Sequence, residues 1–206
     1  METAAPARTA EISRKTNETD IYVKLTIDGT GESRLDIPVG FMVHMLTTFA
    51  KHGLFDLEIR AAGDLEVDQH HLVEDLGIVL GQCFAKALGE KRGIRRIGSC
   101  LFPMDETLAR AAVDLSGRPF LVFEGALSGM PLVSGTASFQ TDTAEDFWQG
   151  FAVNAGCALH LDVLRGRSDH HRLEALFKAA ARSLRDACEI DPRAASVIPS
   201  TKGVLA

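Results

Sequence analysis

Strand and helix periods alternate along this chain in a regular order. Ile21, Val23, Leu25 and Ile27 take every second position between polar neighbours, which predicts a strand, and Asp28-Gly29 then supplies a turn. Phe41, Met45, Leu46 and Phe49 recur at helical spacing and predict a short helix over 41–51, followed by a second alternating run over 54–61. A longer helix follows from about Asp68 to Leu88, burying Val73, Leu76, Leu80, Phe84 and Leu88 and ending at Gly89. Residues 97–102, 109–115 and 119–124 read as strands, and 127–143, rich in Gly, Ser and Thr, reads as a loop. A helix over 144–154, an apolar stretch over 157–164 and a long helix over 169–188 complete the pattern.

The second series repeats the first: strands, short helix, strand, long helix. The predicted fold is therefore α+β and internally duplicated, with halves at 1–93 and 94–206 and two sheets packed with helices as one compact unit. Composition supports a folded chain, with 46 % of the 206 residues hydrophobic and 24 % charged. A formal net charge of −6 argues against nucleic acid as a partner. No run reaches the roughly 18 apolar residues of a membrane span, and the start METAAPARTAE lacks the apolar segment of a secretory signal. Cys83, Cys100, Cys157 and Cys188 share no CxxC spacing, so free thiols and a cytoplasmic location are expected.

The chemistry lies in the histidines. The first long helix opens with His70-His71-Leu72-Val73-Glu74 and the last with His170-His171-Arg172-Leu173-Glu174, 100 residues later and at the same place in the repeat. On a helix, His71 and Glu74 share a face, as do His171 and Glu174, so each pair can grip one cation. The neighbouring His70 and His170 are rotated by about 100° and point at other partners. Mixed imidazole and carboxylate donors suit Mn²⁺, Fe²⁺ or Zn²⁺; for a single such motif, helix capping or core hydrogen bonding is an equal alternative, but the duplicated pair favours metal. His44 and Asp146 each precede a motif on the corresponding short helix and are further candidate ligands, though a solvated helix residue is the plainer reading of Asp146 taken alone and a structural role that of His160. Three segments carry groups that suit a phosphate: the basic cluster 91–96, Arg118 on the turn 116–119, and Ser200, Thr201 and Lys202 near the carboxyl end. Neither a Walker A loop nor GxGxxG occurs.

From Arg8 to Leu205 the sequence resembles the imidazoleglycerol-phosphate dehydratase family. The resemblance runs through Asn17-Glu18-Thr19, Gly40-Phe41 with His44-Met45-Leu46, His52-Gly53-Leu54-Phe55-Asp56-Leu57 and Gly63-Asp64-Leu65. It continues through both HHxxE motifs, Pro103-Met104-Asp105-Glu106, residues 114–119, Phe177-Lys178-Ala179 and Pro199-Ser200-Thr201-Lys202-Gly203. It implies a duplicated α+β fold, a large octahedral homo-oligomer built from trimers, and two Mn²⁺ ions per active site. Carried over, His44, His71, Glu74 and His170 would hold one ion, and His70, His171 and Glu174 the other, with Asp146 as fourth ligand. Glu18, Arg96, Arg118, Lys178, Ser200 and Lys202 match substrate-contacting positions, with His52, Thr201 and the metal-binding side chains lining the same site. Glu18 and Glu174 are the implied acid–base pair.

The chain departs from the family pattern at three positions near these ligands: Asp146 replaces a histidine, Val43 an acid and Leu72 a threonine. The activity implied is a hydro-lyase reaction, loss of water from imidazole glycerol phosphate to give imidazole acetol phosphate in histidine biosynthesis. Two other readings stand beside it: a diverged paralogue with an altered substrate, and a non-catalytic, metal-binding structural subunit.

Overall fold

A computed structural model of the chain describes residues 7–134 and 137–205. The first six residues of the segment read as lacking a signal sequence, residues 135 and 136 of the expected loop, and residue 206 lie outside that description. The first half contains strands β1 (Thr9–Lys15), β2 (Thr19–Thr26) and β3 (Ser33–Asp36), helix α1 (Gly40–Gly53), strand β4 (Asp56–Gly63) and helix α2 (His70–Leu88). The second half contains β5 (Ile97–Met104), β6 (Thr107–Asp114), β7 (Phe120–Glu124), the short pair β8 (Leu132–Ser134) and β9 (Ala137–Phe139), helix α3 (Thr143–Ala155), β10 (Ala158–Arg165) and helix α4 (Asp169–Cys188).

The sheets repeat one topology. Their orders are β1-β2-β4-β3 and β5-β6-β10-β7, and in each the last strand pairs in parallel while the others pair antiparallel. Register makes the correspondence residue by residue: Ala10 opposes Leu25 as Gly98 opposes Val113, so β1 and β2 map onto β5 and β6 at an offset of 88. By that offset Glu18 corresponds to Glu106. Among the long helices the offset is 100, and His70 corresponds to His170.

Alternation in β2 buries Ile21, Val23 and Leu25 beneath the helices and leaves Asp20 and Lys24 to solvent. α2 covers β1 and β2, and α4 covers β5 and β6, so the helices form the middle of the molecule between two outer sheets. Within that middle, pairing crosses the halves: α1 packs on α4 and α2 on α3. Aromatic rings from all four helices meet there. Phe49 lies 6.2 Å from both Phe84 and Trp148, and Trp148 lies 4.8 Å from Phe177.

The strand β1 was not legible as an alternating run, because this edge strand buries only Ala10 fully and reads as TAEISRK. β3 is too short to show a period. Leu54, expected to open a strand, instead ends α1 in a left-handed conformation at φ 55°, and the strand begins at Asp56. The expected loop 127–143 holds the β8–β9 hairpin, whose Phe139 is buried against Phe41 with ring centroids 4.7 Å apart.

α2 and α3 run nearly backbone to backbone. A Cβ added at Gly77 would lie 2.0 Å from the Phe147 carbonyl oxygen, and one at Gly81 2.6 Å from that of Phe151. Gly77→Ala is therefore expected to force the helices apart and cost about 3 kcal/mol of stability. Gly40→Ala, where a Cβ meets nothing within 4 Å, is expected to leave the thermal midpoint unchanged or slightly raised. Thermal unfolding of the two variants followed by circular dichroism checks the contrast.

Candidate active site

Acids at or near the starts of the long helices fasten them to their surroundings. Asp68 Oδ1 accepts the His70 backbone N–H at 2.7 Å, and buried Asp75 accepts from Thr19 Oγ1 and the Arg14 guanidinium, tying α2 to the β1–β2 turn. Asp169 accepts from the Ser128 backbone N–H at 2.9 Å and from Arg172, tying α4 to the segment after β7.

Two clusters form at these helix starts. On α1 and α4, His44 Nε2 and His170 Nε2 lie 3.3 and 3.2 Å from the same Glu174 oxygen, Oε2. Their ligand atoms all fall within 4.8 Å of one another, and no second group of three is gathered so tightly among the described residues. Lys178, one turn along α4, donates to Glu174 Oε1 at 2.6 Å, and the edge of His170 meets Phe41. Burial works against the Glu174 charge, but hydrogen bonds from Lys178 and His44 outweigh it and hold the carboxyl below its ordinary range.

On α3 and α2 the corresponding cluster is Asp146, His70 and Glu74. Asp146 Oδ2 lies 3.3 Å from His70 Nδ1, and Glu74 Oε2 lies 3.6 Å from His70 Nε2. The imidazole thus stands between two carboxylates, one beside each nitrogen.

These contacts group the residues differently from expectation, which paired each glutamate with the histidine three residues earlier by helix spacing and took the full ligand sets from the family resemblance. Each glutamate meets the histidine four residues earlier, not three, because the His(i)–Glu(i+4) pair lies along one helix face beside the crossing helix. Within the chain, Glu74 therefore goes with His70 and Asp146 rather than with His44 and His170. Glu174 goes with His44 and His170 rather than with His70 and Asp146.

His71 and His171 turn to other partners. His71 Nδ1 lies 3.1 Å from Asp64, and His171 Nδ1 2.9 Å from Glu106. An ionised carboxylate only accepts, so Nδ1 carries the proton in each ring and Nε2 keeps a lone pair able to bind a cation. The bond to Asp64 raises the His71 pKa, with burial opposing. Glu106 is held far below the usual carboxylate range by His171 and by the Ser168 and Arg167 backbone N–H groups. The two acids had no assigned role in the sequence reading. The signal for Glu106 was its place in the repeat, since Glu106-Thr107 duplicates Glu18-Thr19.

The remaining candidates surround the clusters at various removes. Glu18 is exposed on the β1–β2 turn, and its carbonyl accepts the Asp64 N–H at 3.0 Å. His52, in the last turn of α1, sets its ring edge-on to Phe102; burial, then Lys178 and Arg182, lower its pKa. Arg118 is exposed on the turn after β6. Arg96 spends Nε and Nη2 on Asp114 at 2.7 and 2.9 Å and Nη1 on the Pro199 carbonyl at 2.9 Å, which fastens the segment bearing Ser200, Thr201 and Lys202. Three of its five N–H donors are thus used, and one each on Nη1 and Nη2 remains. His160 is exposed on β10, apart from both clusters.

Fold and clusters together define a duplicated α+β protein with histidine–carboxylate sites at the crossings of helices from opposite halves. The profile described as imidazoleglycerol-phosphate dehydratase matches residues 37–184. An imidazoleglycerol-phosphate dehydratase of Methylorubrum extorquens is 53 % identical over 198 residues, covering 96 % of this chain and all of the relative. That of Herminiimonas arsenicoxydans is 52 % identical over 199 residues, covering 97 % and 98 %. The crystal structure of the Staphylococcus aureus dehydratase superposes with a TM-score of 0.77 at 37 % identity, over 89 % of this chain and 99 % of that one. The Pyrococcus furiosus structure, in complex with (S)-C348, gives 0.78 at 31 % identity, over 94 % and 100 %. The chain belongs to the imidazoleglycerol-phosphate dehydratase family and is a hydro-lyase.

Removing an acid that orients a histidine should misplace the ring without unfolding the helix. Asp64→Ala and Glu106→Ala are each expected to lower dehydratase activity by about 10–100-fold while the far-ultraviolet dichroism stays native. Steady-state assays of the purified variants check this.

Proposed function

We propose that the chain dehydrates imidazole glycerol phosphate to imidazole acetol phosphate with two Mn²⁺ ions, in an active site completed by neighbouring copies. The observation that carries this reading is the meeting of His44 Nε2, His170 Nε2 and one Glu174 oxygen within 4.8 Å, a donor set that fits a divalent cation. His44, His170 and Glu174 would hold one ion, and His70, Glu74 and Asp146 the other. Such ions, when bound, supply positive charge that stabilises the anionic form of the substrate's imidazole ring.

The protein groups divide the remaining work. Overall, the hydroxyl on the carbon attached to the ring leaves as water with an added proton, and one proton leaves the adjacent carbon; the resulting enol gains a proton on carbon and loses its O–H proton to become the ketone. Glu174 has both oxygens committed, to Lys178 and to the two histidines, so proton transfer falls to Glu18. The Glu18 carboxylate has no hydrogen-bond partner among the described residues. Asp64 accepts from His71, whereas the duplicate of Glu18, Glu106, is tied to His171. Arg118, Ser200, Thr201 and Lys202 would take the phosphate, with Arg96 fixing the segment that carries three of them.

Assembly follows from the same geometry. Each cluster has three donors from one chain, while His71 and His171 offer Nε2 atoms that their own clusters do not use. A large homo-oligomer would bring these atoms in as fourth ligands from neighbouring subunits, so metal and assembly should be linked. No helix among the described residues is long and apolar enough to cross a membrane, which accords with a cytoplasmic enzyme. The Mn²⁺-loaded protein is expected to turn over imidazole glycerol phosphate and to run as a large particle by light scattering. Chelation is expected to abolish activity and reduce particle size, and His71→Ala or His171→Ala to do the same. A chelated protein with full activity, or a metal-loaded monomer, would contradict the reading.

A further inference from the structure

The two clusters occupy equivalent places in the duplicated fold, yet their chemistry differs at two of the matched positions. His44 on α1 corresponds to Asp146 on α3, and Lys178 on α4 corresponds to Ile78 on α2. The His44 cluster therefore presents two imidazoles and one carboxylate, with an ammonium 2.6 Å from that carboxylate. The Asp146 cluster presents one imidazole and two carboxylates, with no ammonium at the matching position. Counting ionised acids and Lys178, and taking the histidines as neutral, the first carries a formal charge of zero and the second −2.

Surroundings widen the difference. The Glu174 side chain is 9 % exposed and held by Lys178, whereas Glu74 and Asp146 are 45 % and 41 % exposed. Both Nε2 atoms of the first cluster already converge on one oxygen. In the second, His70 offers a different nitrogen to each carboxylate, so the ring must turn before one cation can meet all three groups.

We propose that Asp146 divides the metal preference of the two sites. This rests on the metal reading under Proposed function. A strongly hydrated cation such as Mg²⁺ is bound chiefly by charge through oxygen donors. It finds no net negative charge at the His44 cluster and two carboxylates at the Asp146 cluster. A transition ion gains from imidazole donors, which are twice as many at the His44 cluster and already gathered. The His44 site thus retains Mn²⁺ against Mg²⁺, and the Asp146 site exchanges.

The test uses the full chain loaded with Mn²⁺, then dialysed against a large excess of Mg²⁺, with metal content and Mn²⁺ paramagnetic resonance as readouts. The wild-type protein is expected to bind two Mn²⁺ per chain before dialysis and to keep one. Asp146→His is expected to keep two, and Glu174→Gln to lose the retained one. Retention of two by the wild type, loss of both, or an Asp146→His protein that exchanges like the wild type would overturn the proposal. A folded wild-type protein that binds no Mn²⁺ even without Mg²⁺ would overturn the metal reading itself, and this proposal with it.

Discussion

Pairing of helices across the duplication is the constraint on which the site depends. Neither half holds a complete cluster: His44 comes from α1 and its partners His170 and Glu174 from α4, while Asp146 comes from α3 and its partners His70 and Glu74 from α2. The crossings that unite them are set by packing well below the helix starts. Gly77 and Gly81 let α2 approach the α3 backbone, and the rings of Phe49, Phe84, Trp148 and Phe177 fill the space where all four helices meet. Close-packed interiors resist small displacements, so a shift in this aromatic cluster would move both sets of donors together.

Duplication supplied two similar sites, and divergence gave their parts different work. Glu18 and Glu106 occupy matched turns, but only Glu106 is bound to a histidine. In the first half Asp64, which follows β4, holds His71 instead and leaves the Glu18 carboxylate exposed. Lys178 likewise has no counterpart on α2, where Ile78 takes its place. The site thus keeps the symmetry of its backbone while losing that of its charges.

The long helices and the strands β2, β5 and β6 beneath them were readable because each buries one regular face. α4 runs over the same residues that its pattern predicted, 169–188, and the repeat order emerged from spacing alone. β1 and β3 were not readable: a polar edge strand and a four-residue strand carry too few buried positions to show a period. Four of the clustered residues stand in the paired HHxxE motifs, but how they group with His44 and Asp146 was not legible. Helix spacing permits both i+3 and i+4 partners, and only the crossing helix decides between them. Arg96 shows the same limit, since its sequence context gave no sign that Asp114 and the Pro199 carbonyl use three of its donors.

Anomalous diffraction from crystals of the Mn²⁺-loaded protein tests most directly how the donors are sorted. The account predicts two peaks per chain, one bonded by His44, His170 and Glu174 and the other by His70, Glu74 and Asp146. A peak that joined Glu74 to His44 and His170, or Glu174 to His70 and Asp146, would contradict it.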